Sequence, residues 1–352
     1  MTASPTMSAL VVYEDSPQPL RLSKERIPIP QPDKTQVLVK ISHAAQNPTD
    51  VQSLDNHACG EGAVLGCDFV GEIVEVGSSV RRYAKGNIIH RWNLELTEMK
   101  GETPGLGAYS EYTLADERIS YPVPGRNISR EQASTEPLAA ATAWLALFSK
   151  DYLSIDRNQQ KGISVLVWGG SSSVGLYAIQ LATMYGLEVI TTCSPKHAEL
   201  VRSYGARHAF DYKDDQVVDK IKEVAPTLSY AFDTIGNPES SPTASRAFQG
   251  ETGSLCTVRP GKANTEKVTS GTRITDVLVW TSFLKDHTYG EFKWPKGVLK
   301  PSHSKLRQGL DSAPEGFQEY RNGEISGYKI VYALDYIHSL RAGVAFSYPI
   351  VI

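Results

Sequence analysis

Cysteine is scarce in this chain. The four, at 59, 67, 193 and 256, have no paired spacing, which argues against a disulfide framework and for a reducing compartment. Long apolar runs are missing as well. None reaches the roughly 20 residues a membrane span needs, and the opening MTASPTMSAL has no basic region leading into an apolar one. Nor is there an excess of charge: 36 basic and 39 acidic residues leave a net charge of -3. That balance gives no reason to expect nucleic acid or an anionic membrane as a partner. A cytoplasmic protein that works as a monomer is the expectation. What the chain does have is 352 residues, 41% of them hydrophobic, enough to bury two cores.

One stretch, residues 163–212, organises the rest. An apolar run, Val165, Leu166, Val167 and Trp168, reads as a fully buried parallel strand. Gly169 and Gly170 follow, then Ser171, Ser172 and Ser173, and from Val174 to Met184 the apolar residues take helical spacing. After Tyr185 and Gly186 a second apolar strand covers 187–192, so the segment reads as one right-handed crossover unit. Small residues in such a turn let backbone amides approach an anion, and the helix start near Ser173 adds a favourable dipole for a diphosphate. Gly175 falls where helix and strand must pack closely. Small turns also occur without a ligand, but strand, turn, helix and second strand together are the context a dinucleotide fingerprint requires.

The end of the second strand bears on which dinucleotide. An NAD site places a carboxylate there, whereas this chain has Thr192, Cys193, Ser194, Pro195, Lys196 and His197. Ser194 and Lys196 suit a 2'-phosphate, and the phenol of Tyr212, just after the next short strand, does too. NADP(H) is therefore expected over NAD.

The fold class expected is α/β, a β-rich domain joined to a doubly wound parallel sheet. Residues 1–128 look all-β, with strands at 9–13, 36–42, 68–76, 87–90 and 109–113 and an extended connector carrying Pro28, Pro30 and Pro32. The cofactor domain is expected over 129–275. It opens on Ser129 as an N-cap with Gln132 three residues on, and continues into one alanine-rich helical stretch over 133–147. Further apolar strands at 230–235 and 254–258 put Gly236, Asn237, Val258 and Arg259 at the lip where open sheets bind ligands. Over 276–334 the chain returns to the first domain, with a helix from Pro314 to Asn322 and Gly323 and a strand at 329–333; residues 335–352 form a tail without a clear period.

An ordered set of motifs runs along the chain: NPTD at 47–50, GCDFVGEIVEVG at 66–77, GAYSEY at 107–112, GGSSSVG at 169–175, TTCSP at 191–195, FDY at 210–212 and GEISGYKIVY at 323–332. The set resembles the medium-chain dehydrogenase/reductase superfamily, and within it the zinc-independent, trans-acting enoyl reductases of fungal polyketide biosynthesis, the lovastatin type. The resemblance implies a GroES-like catalytic domain, a Rossmann domain and NADPH between them. It places Thr49, Asp50, Val51 and Gln52 beside the nicotinamide, Ser171, Ser172, Ser173 and Val174 at the diphosphate, and Ser194, Pro195, Lys196, His197 and Tyr212 at the 2'-phosphate. Val258 and Arg259 complete the nicotinamide pocket, and Glu324 and Ile325 touch the cofactor from the last lobe. Substrate would meet Thr142, Ala143, Trp144, Leu145, Ala146, Leu147, Phe148 and Ser149, and Trp280, Thr281, Ser282, Phe283 and Leu284. The partner implied is a polyketide synthase, or a hybrid synthase-peptide synthetase, carrying the acyl chain.

Part of the superfamily uses zinc, whose catalytic site wants converging Cys, His and Cys or Glu ligands. Where zinc enzymes carry a cysteine-bearing segment and a Gly-His-Glu, this chain has AQNPTD and Gly66-Cys67-Asp68. His57, Cys59 and Cys67 are the ligands to weigh, and small buried cysteines are the better reading, so no metal is expected. Conjugate reduction is then the expected chemistry, with Thr142 and Gln52 as catalytic candidates. The hydroxyl of Thr142 has an ordinary alternative, bonding to its own helix. Gln52 is a departure, because fungal relatives commonly have lysine there and an amide cannot neutralise an enolate. A second departure, the short stretch around Lys296, implies a reshaped substrate lobe. Two other functions fit the same residues, a quinone or small-enone reductase and a cofactor-binding accessory protein without hydride transfer.

Overall fold

Two sheets divide the chain, and each follows from the period of its apolar residues. The computed structural model describes residues 4–13, 21–57, 59–92, 107–123, 128–158, 162–250, 252–279 and 303–334. Strand β1 (Thr6–Tyr13) pairs antiparallel with β2 (Arg21–Pro28) as a two-stranded ribbon. Next come β3 (Gln36–Ala45), helix α1 (Pro48–Asp55), β4 (Asp68–Val76), β5 (Ile88–Trp92), β6 (Tyr112–Asp116) and β7 (Tyr121–Pro122). Helices α2 (Arg130–Ser134) and α3 (Pro137–Phe148) then lead into the second sheet.

The second sheet alternates strand and helix. In chain order it comprises β8 (Ser164–Trp168), α4 (Ser173–Met184), β9 (Glu188–Cys193), α5 (Ala198–Ser203), β10 (His208–Asp211), α6 (Val217–Val224), β11 (Tyr230–Asp233), α7 (Ser240–Arg246), β12 (Ser254–Thr257) and β13 (Arg273–Asp276). Every pairing is parallel and the order is β10-β9-β8-β11-β12-β13. Strand order therefore reverses between β8 and β11, which opens a crevice beyond their carboxyl ends. The last elements, β14 (Ser304–Gln308), α8 (Ala313–Arg321) and β15 (Lys329–Ala333), go back to the first sheet, whose order is β14-β15-β3-β4-β5-β7 with β6 also on β3.

Each sheet has its own core. Val39, Ile41, Phe69, Ile73, Tyr109, Phe317 and Tyr332 share one cluster, while Val165, Val167, Leu176, Ile179, Val189 and Phe232 anchor another between α4 and the parallel sheet. Among the described residues no helix is long and apolar enough to cross a membrane.

Three sequence expectations need correction. The region 1–128 is not all-β, because α1 forms at 48–55. Asn47 caps it, with Pro48 at its first turn and the Asp50 carboxylate accepting from Asn47 N at 2.7 Å, a reciprocal cap that favours a helix start. Strand β2, at Arg21–Pro28, is not among the expected strands and ends on the first proline of the connector. Its Lys24, Glu25 and Arg26 are exposed, so it lacks the apolar alternation that marks half-buried strands. Finally, the single helical stretch over 133–147 is two helices, since Pro137 has no N–H to continue α2. The tail 335–352 and the stretch around Lys296 lie outside the described residues.

Candidate active site

A cavity of about 470 Å³ lies between the two sheets, beyond the carboxyl ends of β8, β11 and β12. The parallel sheet contributes Ser171, Ser172, Ser173 and Val174, then Thr234, Ile235, Val258, Arg259 and Pro260, with Val277, Leu278 and Val279 following β13. From the other side come residues 46–49 and Gln52 around α1, Leu138, Ala139 and Thr142 of α3, and Tyr320 with residues 325–330.

The turn after β8 is built to leave amides free. Ser172 caps α4, its Oγ accepting from Gly175 N at 2.9 Å and donating to Thr234 Oγ1 at 2.8 Å, while Gly170 N bonds Thr192 O at 2.9 Å. The first four amides of a helix have no acceptor inside it. Gly175 N and Leu176 N are satisfied by Ser172, which leaves those of Ser173 and Val174 at the cavity wall. Glycine is required at 175, where a Cβ would lie 2.5 Å from Gly169 O and 2.8 Å from Gly170 Cα. Two open amides at the end of a twelve-residue helix, facing a cavity of this size, fit the diphosphate of a dinucleotide. Asp233 fixes the facing lip: its carboxylate accepts from Ile235 N, Gly236 N and the hydroxyls of Ser240 and Ser241, all within 3.0 Å.

At the α1 end, Thr49 and Gln52 line the cavity but Asp50 and Val51 do not; both are fully buried. Gln52 Nε2 donates to Tyr320 OH at 2.8 Å. Thr142 also lines the wall, and its hydroxyl gives its proton to Leu138 O at 2.8 Å, so it presents a lone pair to the cavity. Of the other substrate candidates on and after α3, none lines this cavity. Ala143, Leu145, Ala146 and Leu147 are buried in the core against α4, Trp144 and Phe148 pack edge-on to Tyr185, and Ser149 ends the helix. Trp280, Thr281, Ser282, Phe283 and Leu284 lie outside the described residues.

The rim after β9 lies outside this cavity's lining. Ser194 opens a short turn over Pro195, Lys196 and His197, in which Pro195 and Lys196 are exposed. His197 Nε2 sits 3.0 Å from Ser326 Oγ, a contact across the cleft to the last lobe. Tyr212 is exposed beneath Lys213, Ile325 lines the wall, and Glu324 is exposed and held by Asn322.

Sequence reasoning missed Lys329. It opens β15, is 3% exposed, lines the cavity and pairs with the fully buried Asp68 at 2.5 Å. A lysine leading an apolar strand, KIVYA, was the available signal, and its partner 261 residues away could not be read from it.

Residues 33–125 match the alcohol dehydrogenase GroES-like domain family, and residues 173–273 the zinc-binding dehydrogenase family. A zinc-type alcohol dehydrogenase-like protein of Schizosaccharomyces pombe is 31% identical over 88% of this chain and 95% of its own length. The trans-enoyl reductase pvhC of Talaromyces variabilis is 32% identical over 87% and 92%. The chain belongs to the medium-chain dehydrogenase/reductase superfamily. The quinone oxidoreductase of Coxiella burnetii shares the fold, with a TM-score of 0.71 at 22% identity over 94% of this chain and 100% of that one.

The zinc in one family's description does not suit these residues. Asp68 is committed to Lys329, to Asn47 Nδ2 at 3.0 Å and to Leu138 N at 2.9 Å. Burial and the neighbouring Asp50 hold the Cys67 thiol well above its usual range, so it resists becoming a thiolate ligand. No cluster of three metal-ligating side chains stands among the described residues.

Asp50 offers a pH test of this packing. Burial pushes its carboxyl up to about 6, against hydrogen bonds from Asn47, Cys67 and Tyr109 that favour the anion. Since the unfolded carboxyl titrates near 3.8, the folded state holds the extra proton between the two values, and stability falls as pH rises through about 6. Asp50 should contribute a loss of about 2–3 kcal/mol across that window to the denaturation of the parent, in the same direction as partly buried Glu136 and against buried His90. Asp50→Asn, which keeps an acceptor oxygen, should flatten that slope; an unchanged slope would show that Asp50 does not carry it.

Proposed function

We propose that the chain is an NADPH-dependent, trans-acting enoyl reductase that reduces the α,β-unsaturated thioester of a polyketide intermediate carried by a synthase. The observation that carries this reading is the pair of open amides at Ser173 and Val174, facing a cavity walled on its other side by α1 and α3. The trans-enoyl reductase among its relatives supports the choice of substrate class.

A bound reduced nicotinamide supplies the hydride. The chain's own groups hold and screen the reactants. The Ser173 and Val174 amides take the diphosphate, and Ser194, Lys196 and Tyr212 form the rim for the 2'-phosphate, with no carboxylate on residues 192–197 and Asp211 beside Cys193 on the next strand. His197 adds to that rim on leaving Ser326. Leu138, Val258, Val277 and Ile325 give the reacting end an apolar wall. As the substrate's β carbon takes up hydride, the double-bond electrons move towards the thioester oxygen, and the α carbon then accepts a proton from water. Gln52, oriented by Tyr320, hydrogen-bonds a ribose or carbonyl oxygen without neutralising charge.

NADPH consumption with a short enoyl thioester and with a simple quinone tests the reading. Turnover of the thioester in preference to the quinone is expected. Consumption of the quinone alone favours a small-enone or quinone reductase, and binding without consumption of either favours an accessory role. Gln52→Lys places a cation at the same wall and should raise thioester turnover about three- to tenfold. An unchanged or lower rate would remove Gln52 from the reacting end.

A further inference from the structure

We infer that the Lys329 ammonium is a catalytic residue, the donor that meets the substrate's carbonyl oxygen as negative charge collects there. The inference deepens the enoyl reductase reading and rests on it for the identity of the substrate.

An ammonium has three N–H donors. Asp68 Oδ2 takes one at 2.5 Å and Thr135 O a second at 3.2 Å; the third has no acceptor among the described residues, and Lys329 lines the cavity. Its position is fixed through Asp68, whose carboxylate also accepts from Asn47 Nδ2 and Leu138 N. Asn47, Leu138 and Lys329 all line the cavity, so Asp68 lies behind the wall where α1 and α3 begin and holds Lys329 at it.

The other polar groups at that end supply no charge. Gln52 is an amide already bonded to Tyr320, and the Thr142 proton is spent on Leu138 O. Arg259, the other cation on the wall, is at the β12 lip with its Nε on Gly236 O. A buried ion pair is a weak source of stability compared with apolar residues of like volume, so its presence beside a reacting cavity points to chemistry. Aimed at a carbonyl oxygen beside apolar walls, such a donor acts where charge develops.

The test uses the full chain with NADPH and the acetoacetyl thioester of N-acetylcysteamine, whose enolate forms without hydride transfer, by loss of its acidic α proton to the buffer, and has its own ultraviolet absorption. Asp68→Asn/Lys329→Met removes the ammonium without stranding a charge, and Lys329→Arg keeps a cation. With the parent and with Lys329→Arg the enolate band should appear on binding. In the double variant the band should fall at least about tenfold and kcat for the enoyl thioester about 10²-fold, with KM and NADPH affinity changed less than about threefold. A full band in the double variant, or no band in the parent, overturns the inference. A parent that shows the band yet reduces no enoyl thioester contradicts the proposed function instead.

Discussion

Replacing Gly175 by alanine should cost this protein its dinucleotide. The added Cβ would meet Gly169 O at 2.5 Å and the Cα and C of Gly170 at 2.8 and 2.9 Å, all backbone atoms of the turn that α4 packs upon. No change of rotamer relieves these three contacts. Helix and turn must part, at about 1–3 kcal/mol for forced overpacking. The same shift carries the Ser173 and Val174 amides off the cavity wall. NADPH affinity should therefore fall about 10- to 100-fold. Gly60 is the control, with open space around its Cβ position, and Gly60→Ala should leave affinity unchanged. Equal affinities for both variants would place the diphosphate elsewhere.

Lys329→Met should cost stability as well as the ammonium donor. It strands the Asp68 carboxylate at 0% exposure, with only the Asn47 amide and Leu138 N as partners. Breaking one half of a buried pair costs about 3–5 kcal/mol, much more than the pair itself contributes. Adding Asp68→Asn removes the stranded charge, so the double variant should regain most of the loss in chemical denaturation. If the single and double variants unfold alike, the burial of Asp68 is not what makes Lys329 necessary.

Both effects separate what the amino-acid order discloses from what it hides. Strand β4 stands at 68–76 as its alternation implies, and β8, α4 and β9 follow from an apolar run, a small-residue turn and a change of period, all local signals. Helix α1 was legible too, in the Asn47-Pro48 start with Asp50 three residues after the cap, but the surrounding strand pattern masked it. Strand β2 had no such signal, because exposed charged positions on a ribbon carry no burial alternation.

The site divides in the same way. Ser171 to Val174 come from one turn and could be named from it, while the opposite wall gathers α1, α3 and the start of β15, brought together only by pairing of β15 with β3. Asp50 shows the limit of motif matching. It falls inside the segment assigned to the nicotinamide, yet its cap to Asn47 and bond to Tyr109 turn its side chain into the core. Lys329 shows the converse, a residue whose role depends on an ion pair that no spacing reveals.

The proposed site holds a dinucleotide at the start of α4, with its extra phosphate chosen by Ser194, Lys196 and Tyr212 after β9 and β10. Equilibrium titration of the full chain with NADPH and with NADH tests it most directly. Saturable binding of both is expected, with NADPH the tighter by about tenfold or more, the worth of one charge-assisted contact. Tighter binding of NADH, or binding of neither, would contradict it.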